Sequence, residues 1–107
     1  MRDDLEKIRD ILENINKIEK YYDENQFIRD EVLQAAMIHY LQCIGESCRS
    51  LSQEFKEKQA SVSWSEIIAF RNFLVHQYFE IDLDIVSKIL RVDIPPLKSK
   101  LIKVLHQ

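Results

Sequence analysis

Glycine and proline are nearly missing from this chain, which has one glycine, Gly45, and two prolines, Pro95 and Pro96, in 107 residues. Turn-rich β architectures use far more of both, so the shortage points to long helices. Cysteine is almost as scarce. Cys43 and Cys48 stand five positions apart, which on a helix sets them about 140° apart around the axis and suits a disulfide poorly. There is no CxxC pair and no zinc-ligand spacing, so they read as reduced thiols of a cytoplasmic protein. No apolar run approaches the roughly 18 residues that cross a membrane, and no signal-peptide pattern opens the chain. Neither secretion nor a membrane is expected.

An excess of positive charge is also lacking. The formal net charge is −3, which argues against a protein that coats nucleic acid by bulk charge. The average hides an asymmetry. Residues 1–31 hold ten acids against six bases, whereas residues 88–107 hold Lys88, Arg91, Lys98, Lys100 and Lys103 against Asp93 alone. Such a run reads first as the solvated face of a helix, with a local basic surface as the functional alternative.

What is present is helical periodicity. Leu5, Ile8, Ile11/Leu12, Ile15, Ile18 and Tyr21/Tyr22 repeat at 3–4 spacing, which predicts an amphipathic helix over 3–22. Asp23 to Gln26 read as a short turn. A second helix is expected over 27–57, with Val32, Leu33, Ala36, Tyr40, Ile44, Cys48, Leu51 and Phe55 as its apolar stripe. Gly45 lies inside that stripe at a cost of about 1 kcal/mol relative to Ala, which close contact with a neighbouring helix would offset. Ser63 and Glu66 form a capping-box pattern ahead of a third helix over 64–79. That helix is apolar on nearly every side, as expected of a central or interface helix. Asp82 looks like the cap of a fourth helix over 83–92. Asp93-Ile94-Pro95-Pro96 then reads as a break before a last helix through Leu105. The whole predicts one all-α domain over 1–107, a compact antiparallel bundle of four to five helices.

Arg71 is the anomaly. Its neighbours at three and four positions are Ile67, Ile68, Leu74 and Val75, and a guanidinium among them needs an anionic or carbonyl partner. The plain reading pairs it with an acid of another helix, Glu46 being the candidate. Asn72 and His76 share the adjacent flank, and Tyr78, seven positions on, returns to within about 20° of Arg71. A lone His or Tyr on such a helix is usually core. Four polar groups on one oily helix are harder to account for by packing, because buried polar groups destabilise unless something binds them. The set suits RNA cleavage without a metal. His76 can take a proton from a ribose 2′-hydroxyl or give one to the leaving 5′-oxygen, and Arg71 can stabilise charge on the phosphate. One helix supplies one His, so a two-fold dimer pairing two copies would complete an acid–base site. His39 and Cys43 could share a face, but no third ligand accompanies them, so no metal or cofactor is expected. His106 lies in the tail.

The segment Arg71-Asn72-Phe73-Leu74-Val75-His76-Gln77-Tyr78 resembles the R-x(4–6)-H motif of HEPN domains. With Trp64, Ile67-Ile68, Ile44-Gly45-Glu46 and Asp93-Ile94-Pro95, the chain is similar over nearly its whole length to the HepT-like subgroup. That resemblance implies a ribonuclease toxin of a two-gene toxin–antitoxin system (type VII-like), acting on transfer or messenger RNA as a homodimer. Carried over, Arg71 and His76 are catalytic and Asn72 assists. Tyr78 is the residue to which a minimal nucleotidyltransferase antitoxin transfers AMP, placing bulk and negative charge where the RNA phosphate would lie. HEPN-like bundles also serve as non-catalytic modules that hold a nucleotide or a partner nucleotidyltransferase, and this is the rival reading.

Overall fold

The first helix forms as its periodicity predicts. Asp3 caps it by accepting the Glu6 N–H, Asp4 and Glu6 complement its positive end, and α1 runs Asp4–Tyr21 with Ile8, Ile11, Ile15 and Ile18 buried on one side. The computed structural model describes residues 3–76 and 81–107, and for Val75 and His76 the backbone only. Every regular element among the described residues is helical.

The expected single helix over 27–57 is corrected to three pieces. A short α2, Glu24–Phe27, is capped by Asp23, occupies the expected turn and buries Phe27. Asp30 then accepts from the N–H groups of Val32 and Leu33 and starts α3, Glu31–Ser50. At the other end Leu51 and Ser52 are extended, and Ser52 caps α4, Gln53–Lys58. Two strong N-cap side chains in mid-run therefore divide what the apolar stripe joined. The stripe also shifts. Met37, Ile38, Leu41, Ile44, Gly45 and Cys48 face the core, while Val32 is 80% exposed.

Helix α5 spans Trp64–His76. The Ser63 carbonyl accepts the Glu66 and Ile67 N–H groups at its start, and Trp64 is buried with its indole N–H on the Gln59 carbonyl. Asp82 caps α6, Leu83–Lys88, as expected. The proline break, however, is not a break. A widened π turn over Ile89–Asp93 leads directly into α7, Ile94–Leu105. Pro95 and Pro96 lack N–H groups and their rings would strike carbonyls four residues back in an α-helix. The wider turn, in which the Ile94 N–H reaches the Ile89 carbonyl, relieves that conflict and keeps the rod continuous.

Contacts fix the helix directions. Lys7 and Asp4 at the start of α1 bond to Ser50 and Ser52 at the end of α3, so these helices are antiparallel. Gly45 faces Arg71 and Gln42 reaches the Leu74 carbonyl, which runs α5 antiparallel to α3. Tyr22 meets Ser87 at 2.6 Å and Glu19 meets Lys98 at 2.6 Å, which lays the α6–α7 rod antiparallel to α1. The result is an all-α antiparallel bundle, 40 × 26 × 24 Å. No helix among the described residues is long and apolar enough to cross a membrane.

Candidate active site

The chain's one glycine lies where α3 crosses α5. A Cβ on Gly45 would sit 2.1 Å from the Cβ of Arg71 and 2.6 Å from its Cγ, so no larger residue fits without the helices moving apart. This is the close contact that the buried glycine implied. It brings the root of the Arg71 side chain against the α3 backbone, one residue from Glu46.

The guanidinium is then held at two points. Arg71 Nη2 lies 2.9 Å from Glu46 Oε2, and Arg71 Nη1 donates to Asn72 Oδ1 at 2.9 Å. The expected pairing of Arg71 with Glu46 is therefore present. Arg49, a helical turn beyond Glu46, approaches the same carboxylate oxygen at 3.6 Å. The sequence reading missed this second cation, although its i, i+3 spacing from Glu46 was a signal. The Arg71 side chain is 21% exposed and that of Glu46 is 52% exposed. Solvent screening at that exposure keeps the pair's contribution to folding to about 1 kcal/mol or less. The chemistry on offer is a fixed cation at the surface beside a carboxamide, suited to a phosphate.

The rest of α5 is not sealed away. Among its described side chains only Trp64 and Leu74 are buried, and Ala69 and Asn72 are exposed. Phe73 is 38% exposed and stacks with Phe70 at a centroid distance of 6.3 Å. Within one chain the helix thus has a solvent face, and that face is partly apolar. A groove of about 220 Å³, lined by Leu41, Ile67, Phe70, Ile94 and Leu97, runs between α5 and α7. Arg71 does not line it, and its lining is mainly hydrophobic.

Arg71 and Asn72 are joined by a hydrogen bond, whereas the spacing had placed Asn72 on the adjacent flank with His76. The His76 side chain and Tyr78 lie outside the described residues. On α3, His39 Nε2 and Cys43 Sγ are 3.5 Å apart, sharing a face as their spacing required. No group of three residues suited to a metal ion occurs among the described residues. Both cysteines are free, and burial pushes the Cys48 thiol up to about 12, leaving it protonated and inert. Of the C-terminal cations, Lys98 pairs with Glu19 at 2.6 Å and Arg91 with Glu24 at 3.5 Å, so part of that run ties the rod to α1 and α2.

Known proteins resemble this chain over most of its length. The chain is 37% identical over 94 residues to a Methanocaldococcus jannaschii protein named "Putative RNase", covering 85% of this chain and 86% of that one. It is 34% identical over 100 residues to "Probable ribonuclease HepT" of Thermococcus cleftensis, covering 91% of each. A "Putative RNase" of Caldanaerobacter subterraneus subsp. tengcongensis is 35% identical over 81 residues, covering 76% of this chain and 72% of that one. No solved structure matches significantly. The model of the family described as Ribonuclease HepT-like matches residues 8–104, a span that includes α3, α5 and the motif between Arg71 and Tyr78. The chain belongs to the Ribonuclease HepT-like family.

Proposed function

We propose that this protein is a metal-independent endoribonuclease toxin that cleaves RNA as a homodimer, with Arg71, His76 and Asn72 as its site residues. The observation that carries this reading is the partly exposed Arg71 side chain, held by Glu46 and Asn72 on the helix that also carries His76. Family membership and relatives named as ribonucleases support RNA as the substrate class.

In this reading one His76 accepts the proton of a ribose 2′-hydroxyl as that oxygen attacks the adjacent phosphorus. The bond from phosphorus to the 5′-oxygen breaks, and a second His76, from the other protomer, protonates the leaving oxygen. The products are a 2′,3′-cyclic phosphate and a 5′-hydroxyl. Arg71 stabilises the added charge on the non-bridging oxygens in the transition state. The exposed Phe73, stacked on the partly buried Phe70 of α5, favours that helix as the dimer contact. Neutralisation follows from AMP transfer to Tyr78 by a minimal nucleotidyltransferase antitoxin, which puts a negative phosphate beside the cation that RNA would use.

The rival, a non-catalytic binding module, draws on the same Arg71–Glu46 pair, since an ion pair between helices is a sufficient structural role. Purified protein incubated with total RNA in EDTA separates the two. Cleavage to cyclic-phosphate ends by the wild type, lost in His76→Ala, is the expected result. Intact RNA with the wild type, or equal cleavage by His76→Ala, defeats the enzyme reading. Intact mass after incubation with the partner and ATP should show AMP addition that disappears in Tyr78→Phe; addition that persists in this variant rules out Tyr78.

A further inference from the structure

The pair Gly45-Glu46 holds Arg71 from two directions that have no chemical relation to each other. Gly45 removes a side chain that would occupy the space of Arg71 Cβ and Cγ, which sets how closely the arginine stem approaches α3. Glu46 binds the far end of the same side chain at 2.9 Å. We infer that Glu46 is a positioning residue, fixing the plane of the Arg71 guanidinium for a phosphate; this rests on the ribonuclease reading above.

Donor accounting supports the role. Arg71 has five N–H groups. One is donated to Asn72, Nη2 also lies in ion-pair contact with Glu46, and the other N–H groups have no hydrogen-bond partner among the described residues. Charge accounting points the same way. Glu46 is shared between Arg71 at 2.9 Å and Arg49 at 3.6 Å, so two cations meet one carboxylate and the cluster remains positive. Glu46 therefore orients Arg71 without cancelling its attraction for an anion. A purely structural ion pair, half exposed to water, would act mainly on folding stability and only weakly there. A guanidinium allowed to swing instead loses transition-state contact while initial binding persists.

The test is a cleavage series on the full chain with a defined RNA. Glu46→Ala should lower kcat about tenfold or more, the effect of a guanidinium no longer held in place, with KM within about twofold. Glu46→Gln keeps an acceptor oxygen and should recover most of that loss. In an Arg71→Ala background neither substitution should lower kcat further. An unchanged kcat in Glu46→Ala, a loss expressed only in KM, or a full loss repeated in the Arg71→Ala background overturns the inference. If Arg71→Ala itself cleaves normally, the ribonuclease assignment of Arg71 fails instead. A second readout needs no activity. The Arg71 guanidinium 15N signals should show restrained rotation in the wild type and free rotation in Glu46→Ala; identical signals in both overturn the positioning role.

Discussion

Helix α1 sinks Ile8, Ile11, Ile15 and Ile18 into the core and turns charged residues to solvent. Helix α5 is the more apolar of the two by sequence, yet among its described side chains it buries only Trp64 and Leu74 and leaves Phe73 and Ala69 at the surface. The first helix is composed for the chain's own core. The second carries more apolar surface than one chain covers, together with a held arginine that contributes little to folding. Stability and activity are thus expected to separate along these two helices.

The largest expected effect tests that separation. His76→Ala should lower RNA cleavage by about 100-fold or more, the usual contribution of a general acid or base, with little change in the urea midpoint of unfolding. Ile15→Ala should do the reverse, destabilising by about 2–5 kcal/mol while residual folded protein keeps its specific activity. Loss of folding in the first or of specific activity in the second would break the division between the helices.

Gly45→Ala lies between the two regions and should affect both. Forcing a methyl against the Arg71 stem costs about 1–3 kcal/mol by overpacking, read by chemical denaturation, and cleavage should fall with it. Phe73→Ala sharpens the contrast at lower amplitude. Its ring is 38% exposed, so protomer stability should change by about 0.5 kcal/mol or less, while light scattering at micromolar concentration should show a shift from dimer towards monomer. A monomeric wild type would remove α5 from that role.

The smallest effect concerns pH and the core side of the molecule. Asp4 accepts from the Ser52 N–H at 2.9 Å and from its hydroxyl at 2.7 Å; these bonds hold its carboxyl below the ordinary 3.8. A carboxylate lowered in the folded state adds stability above its unfolded value, and that contribution disappears as pH falls through the folded value. The wild type should therefore lose part of its margin over Asp4→Asn below about pH 4, measured by thermal midpoints across an acid series. A difference that stays constant with pH would show that the contact is not ionic.

Much of this arrangement was legible in the sequence because the signals were local. The isoleucine spacing of α1, the Asp82 cap, the pairing of Arg71 with Glu46 and the close approach at Gly45 all follow from periodicity or from one residue out of place. The division of the expected long helix was harder to read, since an apolar stripe ran through Asp30 and Ser52 and masked two N-caps. The exposure of Val32 was hidden for the same reason, because spacing alone cannot say where a helix outruns its neighbours. At Pro95-Pro96 the usual rule, that prolines end helices, gave way to a wider turn. The second hold on Glu46 by Arg49 was legible only in part, since the i, i+3 spacing allows the pair but does not say that the same carboxylate also reaches Arg71 on another helix.

That wider turn has a consequence for how the molecule breathes. Between Ile89 and Pro96 the rod has fewer N–H donors than carbonyls, and Arg91 and Val92 stand in solvent. Local opening starts where backbone pairing is thinnest. Amide exchange should therefore enter the α6–α7 rod at its middle rather than fray inward from Leu105, so that a helix continuous in space behaves in time as two separately exchanging halves.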